Sequence, residues 1–323
     1  MQESPESPTD IQTGQVVGTL SYLKGLDRAR HGVPLSQSFK FLNLSTIFRE
    51  DFPGTRDAQI GSEFDYNPSS PRGPHTWNIL WPGCNGILQS PININTSRVI
   101  YERPFQINYN LENLVISGDF LNNGHSCAFY PSRKLRAMYG VPHAEREMYI
   151  LDEIHFHFGN DLQHGSEHSM NNLFFPVEIH LVHYNSRYEN AKNASKYRDG
   201  LVALGVFMEV GFGPPTELDR FISTYVPRIA IPDNVGVPAI LDINSILPYN
   251  RDLFTYYGSK TTPPCTHNIR WILMRTHKTI TSQSHRLLYY LRNHENQRIS
   301  RYGNFRPVQD STCRMVEANF RNS

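Results

Sequence analysis

The stretch EIHFHFG, Glu153–Gly159, places an imidazole at every second position of a short apolar run. A period of two is the period of a strand, whose successive side chains point to opposite faces. His155 and His157 therefore share one face, with Phe156 on the other. A second run of strand type, PVEIHLVHYN, carries His180, with Glu178 two residues earlier and hence on the same face. Two imidazoles on one strand and a third from a neighbour supply three protein ligands and leave a fourth tetrahedral position for water, the arrangement a catalytic zinc site needs. An isolated H-x-H is more often a pair of hydrogen-bonded or solvated histidines. Here the rings sit in apolar runs, where uncoordinated imidazoles need other partners, and spacing alone leaves the two readings even.

Working outward, the chain from about Gly61 reads as short β-type runs separated by Gly, Pro, Asn and Asp. Examples are Phe105–Tyr109, Leu114–Ser117, Met148–Phe158, Val177–Tyr184 and Leu201–Val210. They come at irregular spacing with few long helical patterns between them. This predicts a mainly β fold with short helices and a mostly antiparallel sheet, rather than repeated βαβ units. The helix candidates are Glu217–Thr224 and Ser282–Arg292, the second with its apolar residues grouped on one face. No repeat and no linker divides the chain after position 60. The expected organisation is an N-terminal extension, 1–60, and one domain, 61–323. The first ten residues are rich in Pro, Ser and Glu and read as disordered. A helical pattern around Val16–Arg30 follows, with no function attached.

Lys and Arg total 31 against 30 Asp and Glu, a balance that gives no reason to expect nucleic acid or an anionic membrane as a partner. No stretch approaches the roughly 18 apolar residues of a membrane span. The polar start MQESPESPTDIQTG lacks the pattern of a signal peptide, which taken alone points to the cytosol. Three N-x-[ST] sequons, at Asn43, Asn95 and Asn193, point instead to the secretory route. The four cysteines, Cys84, Cys127, Cys265 and Cys313, form no C-x-x-C pair.

Further motifs follow in order: GPHTW at Gly73–Trp77, QSPINI at Gln89–Ile94, NNGH at Asn122–His125, GSEH at Gly165–His168, DGLVALGVF at Asp199–Phe207, GSKTTPPC at Gly258–Cys265 and NFRPVQ at Asn304–Gln309. Together with HFHFG and EIHLVHYN, they make the chain resemble the alpha class of carbonic anhydrases from Phe64 to the C-terminal region. The resemblance implies a large twisted central sheet and reversible hydration of carbon dioxide to bicarbonate and a proton. The attacking group would be zinc-held hydroxide, with Zn2+ on His155, His157 and His180. Glu178, Glu153 and Asn304 match positions that support the ligands. Thr261 matches a hydroxyl that accepts a hydrogen bond from the hydroxide, Glu167 the carboxylate that takes that threonine's proton, and His125 a proton shuttle.

Val182, Ala203, Lys260, Thr262 and Trp271 match substrate-pocket positions. Lys260 stands where a bulky apolar residue is usual, and Glu153 where a glutamine is. Cys84 and Cys265 match two positions bridged in secreted relatives, and with the sequons this places the protein outside the cell. Cys127 and Cys313 have no assigned partner, with a buried free thiol the leading reading for Cys127. The alternative to an enzyme is a weakly active or non-catalytic extracellular binding protein on the same scaffold, a reading that rests mainly on Lys260. Oligomeric state is not predicted.

Overall fold

The computed structural model describes residues 64–101, 105–109, 114–233, 235–312 and 314–321. The expected extension, the pattern at Val16–Arg30, Asn43 and Cys313 lie outside them. Among the described residues a 13-stranded sheet dominates. From one edge its order is Val237–Asp242, Val115–Asn122, Cys127–Pro131, Ala144–Phe158, Val177–Asn185, Leu201–Gly211, His267–Met274 and Leu253–Ser259; Glu317–Ala318 and Ile100–Tyr101 complete the other side. Pairing is antiparallel through the centre. It turns parallel where 201–211 meets 267–274 and 278–281, and where 317–318 meets 100–101. The mainly β, mostly antiparallel reading therefore holds.

The alternation seen in the sequence separates two sides. Phe120, Phe129, Ile154, Phe156, Phe158, Ile179, Leu181 and Val206 are buried in one core cluster with Phe221, Ile222 and Leu288, which come from the helices Glu217–Tyr225 and Ser282–Leu288. Ile150, Tyr184, Ala203, Tyr256, Trp271 and Leu273 pack in a second cluster. The imidazoles of the H-x-H run belong to neither and are left free for polar work.

Two sequence expectations need correction. The helix expected over Ser282–Arg292 stops at Leu288, where Tyr289 N–H turns to the carbonyls of Arg286 and Leu287. The apolar periodicity continues, but Arg292 N–H is taken by Ala230 O, a tertiary bond that local pattern does not register. The strand expected over Phe105–Tyr109 shrinks to Asn108–Tyr109, paired with Tyr139 and Met138. The first helix starts on a reciprocal cap: Thr216 Oγ1 accepts from Asp219 N–H, and the Asp219 carboxylate accepts from Thr216 N–H. The same carboxylate also accepts from Thr281 N–H at the start of the second helix, so one buried acid seats both.

His183 lies on the core side of Val177–Asn185, fully buried, with Nε2 2.9 Å from the Tyr109 hydroxyl. Burial pushes its pKa down to about 3, against the pull of the Leu181 and Val202 backbone. The unfolded imidazole titrates near 6.5, so between these values the unfolded chain binds more protons and acid favours unfolding. The contribution is complete above about pH 6.5 and is withdrawn as pH falls, by about 2 kcal/mol at pH 5. Urea midpoints measured from pH 7 to 5 should show this decline, and His183→Gln should make it shallower by that amount.

Candidate metal centre

Strand register assembles the site as cross-strand rows. Ala128 pairs with His155, His155 with His180 and His180 with Gly205. One step along, Glu153 pairs with Val182, Val182 with Ala203 and Ala203 with Trp271. One step the other way, His157 pairs with Glu178. His155, His157 and His180 thus meet on one side of the sheet, one ligand atom from each lying within 4.8 Å of the others. Gly205 matters to this packing. A Cβ there would lie 2.7 Å from Leu273 Cδ2 and 3.0 Å from Glu178 Oε1, against the carboxylate behind His180.

Each ring has one nitrogen committed away from the centre. His180 Nε2–H donates to Glu178 Oε1 at 2.7 Å, and His157 Nδ1–H to the Asn304 carbonyl at 2.6 Å. His155 Nδ1 lies 3.0 Å from Glu153 Oε1. The hydrogen bonds to Asn304 and Glu178 assign the tautomers of His157 and His180 and leave His157 Nε2 and His180 Nδ1 with lone pairs facing the same point as His155 Nε2. Burial, with a contribution from His155, lowers the His157 pKa to about 3, and burial lowers His180 to about 4. Both rings are therefore neutral, as ligands must be.

A metal ion fits this group on two observations. His157 Nε2 is buried and has no hydrogen-bond partner. His180 Nδ1 and His155 Nε2 stand 3.3 Å apart. Tetrahedral zinc with bonds of 2.0–2.1 Å separates its nitrogen ligands by about 3.3 Å. The site opens at one end only: the His155 and Glu153 side chains are 19% and 27% exposed, whereas His157 and His180 are buried.

Behind the imidazoles lies a buried polar frame. The Glu178 carboxylate accepts from His180 Nε2 and His168 Nδ1 on one oxygen, and from the Glu167 and His168 N–H groups on the other. Burial alone would raise its pKa, but His168 and His180 hold it well below the ordinary value. His168 continues through Nε2 to the Tyr256 hydroxyl at 2.7 Å and on to Ser90 Oγ at 2.8 Å. Glu167 accepts from Arg306 N–H at 2.9 Å and bonds the Thr261 hydroxyl. Its second oxygen lies 3.4 Å from His157 Nε2 and is buried without a partner. Burial pushes this carboxyl up, while His180, Thr261 and the Arg306 N–H pull it back.

Cys84 and Cys265 form a disulfide spanning 181 residues of sequence, with Cα atoms 4.8 Å apart. It ties the loop after Thr261 to the segment around Gly83, where a Cβ would meet Pro264 O at 2.3 Å. Cys84 O also accepts from the Arg306 guanidinium, whose backbone N–H holds Glu167. A loop this long puts the entropic contribution of the bridge at the upper end, about 5 kcal/mol. The double Cys→Ser variant should lose that much by urea denaturation, and reductant should lower the wild type but leave the variant unchanged.

The family model for eukaryotic-type carbonic anhydrases matches residues 72–320. The chain belongs to this family. It is similar to carbonic anhydrase 6 of Canis lupus familiaris, 33% identical over 274 residues and 82% of each chain. Carbonic anhydrase 3 of Homo sapiens is 31% identical over 269 residues, 81% of this chain and 100% of its own. Carbonic anhydrase 7 of Mus musculus is 34% identical over 257 residues, 77% of this chain and 94% of its own.

The other carbonic anhydrase positions singled out in the sequence fall around this centre. Ala203 and Trp271 are buried and Val182 half-buried on the ligand side, and Thr262 O accepts from Cys265 N–H in the loop after Thr261. Lys260 is exposed, and its charge acts on both Asp152 and Glu153. His155, Lys260 and Tyr130 hold Glu153 at about 2 against the burial that would raise it. His125 stacks on Phe64 with ring centroids 4.1 Å apart and lines a cavity of about 120 Å3 with Tyr66, Arg72, Glu295 and Tyr302. The Asn304 side chain donates to the carbonyls of His125 and Phe156 and accepts from Phe158 N–H, holding the shuttle candidate and the ligand strand together.

Cys127 is a buried free thiol. Sequence reading did not assign His168, Arg306, Gly205, Tyr256 or Asp152. The first three lie inside quoted motifs, where their position was visible but their partners were not.

Proposed function

We propose that the protein binds one zinc ion at His155, His157 and His180 and catalyses reversible hydration of carbon dioxide. The observation that carries this reading is the convergence of three imidazoles, one ligand atom from each within 4.8 Å of the others, beside Thr261 and Glu167. Zinc with an open fourth position brings the ionisation of water close to neutral pH, a magnitude that comes from carbonic anhydrases themselves. The chain's residues supply the rest. Glu178 and the Asn304 carbonyl hold two rings in the ligating tautomer. Thr261 donates its own hydrogen to Glu167, so its oxygen faces the site only as an acceptor and selects species that bring a hydrogen. Val182, Ala203 and Trp271 offer carbon dioxide an apolar wall beside the ligands. His125 accepts the released proton and passes it to solvent.

Stopped-flow hydration with zinc quantified per chain tests this, beside a sulfonamide titration. One zinc per chain, with hydration that the sulfonamide suppresses, supports the reading. Zinc without hydration sinks it in favour of a non-catalytic binding protein, the reading that the charged Lys260 at the open end favours.

We infer further that the protein works in an oxidising compartment, because a disulfide this close to Thr261 has to persist. Asn95 suits glycosylation: it is exposed, and its Oδ1 accepts from Ser97 N–H and Oγ–H. Asn193 suits it less, lying in the helix Ala191–Ala194 with Nδ2 donating to Glu189. Peptide mapping of protein from a secreting cell should find a glycan at Asn95 in higher occupancy than at Asn193; an unmodified Asn95 counts against export.

A further inference from the structure

We propose that Asp152 is a second proton-transfer group of this site, taking protons from water at the open end and handing them to buffer in bulk solvent. This rests on the hydration reading above. The register between 144–158 and 177–185 slips between Leu151 and Glu153, so Asp152 is the extra residue of a β-bulge. Bulges re-aim side chains and are common beside active sites. Ile150 and Glu153, on either side of the slip, pair with Tyr184 and Val182 of the ligand-bearing side.

The field of Asp152 couples it to Glu153 on its own strand, Tyr130, Tyr184, and Lys260 on the loop before Thr261. Two carboxyls therefore stand together at the open end. Glu153 is engaged by His155 and Tyr130. Asp152 is half-buried and makes no hydrogen bond or close ion pair among the described residues.

Burial, then the neighbouring Glu153 charge, push the Asp152 carboxyl up to about 7, with Lys260 pulling it down. A divalent cation on the imidazoles would lower it further and keep it ionised, ready to accept, at neutral pH. His125 is less well matched. Burial, then His294 and Arg72, lower it to about 4, with only Asp65 opposing. Proton transfer is most effective when the acceptor titrates near the working pH. In the proposed step a water O–H bond breaks as an O–H bond forms on the Asp152 carboxylate. The carboxylic acid then loses that proton to a buffer base.

The test is stopped-flow hydration of the zinc-loaded wild type, Asp152→Asn, Asp152→Glu and His125→Ala, at low and high imidazole. Asp152→Asn should lower kcat at low buffer about tenfold, leave kcat/KM unchanged, and recover with imidazole. Asp152→Glu should retain most of the rate, and His125→Ala should keep a buffer-independent component. The metal-free protein gives a separate readout: an infrared carboxyl C=O band that titrates near neutral pH and disappears in Asp152→Asn. An Asp152→Asn enzyme with wild-type kcat at low buffer, or with kcat/KM falling in step with kcat, overturns the proposal, as does a C=O band unchanged by the substitution. A wild type without any hydration sinks the underlying reading, and this one with it.

Discussion

His157→Ala should release the metal and reduce hydration to background, a loss of at least about 10³-fold, or roughly 4 kcal/mol of barrier. Two imidazoles cannot replace three, and nothing adjacent can substitute. The Glu167 oxygen 3.4 Å from His157 Nε2 belongs to a carboxylate already anchored by Arg306 N–H and Thr261, so it cannot swing into the gap without giving up both bonds. The substitution also strands the Asn304 carbonyl, which now accepts from His157 Nδ1 at 2.6 Å. A buried carbonyl without its donor costs about 1–3 kcal/mol. The variant should nonetheless fold, because the Asn304 side chain keeps its bonds to Phe156, Phe158 and His125. Zinc analysis, hydration rate and near-ultraviolet circular dichroism measured together separate loss of metal from loss of fold. Retained stoichiometric zinc with undiminished turnover would show that His157 is not a ligand.

Glu178→Gln should weaken zinc binding by about 10–100-fold and also lower stability by about 3 kcal/mol. The native carboxylate receives four N–H donors, two on each oxygen. A glutamine has one oxygen, and its NH2 group must face a pair of donors whichever way it turns. If the oxygen stays with His180 and His168, the Glu167 and His168 backbone N–H groups are stranded in the core. If it turns to the backbone, both rings lose their anchor, His180 can change tautomer, and Nδ1 no longer presents a lone pair. The disturbance runs on through His168 to Tyr256 and Ser90. Competition with a zinc chelator and urea denaturation of the metal-free protein read the two effects separately. Unchanged zinc affinity beside a destabilised fold would make Glu178 a structural residue alone.

Both substitutions touch residues at different depths of legibility. H-x-H within an apolar run placed His155 and His157 on one face, and the same period placed Glu178 with His180, because strand alternation is a property of the local backbone. The apolar residues of those runs likewise foretold the buried core, and the motifs in their order foretold the family. Periodicity misled where the chain was claimed by distant partners: the helix from Ser282 ends at Leu288 because its continuation bonds to Ala230.

What the sequence by itself determined, then, was the β character of the domain, the face shared by His155 and His157 and that shared by Glu178 and His180, and the family to which the motifs belong. Tertiary structure alone decided that His155 stands beside His180 and His157 beside Glu178, since those pairings are a matter of strand register. It alone decided which nitrogen of each ring is free, because Asn304 and Glu178 reach those rings across the fold. It also decided that Asp152 falls on a bulge beside Glu153, where a regular strand would have turned it to the opposite face. Alternation is written into every extended backbone, whereas register, tautomer and bulge depend on contacts between segments far apart in the chain.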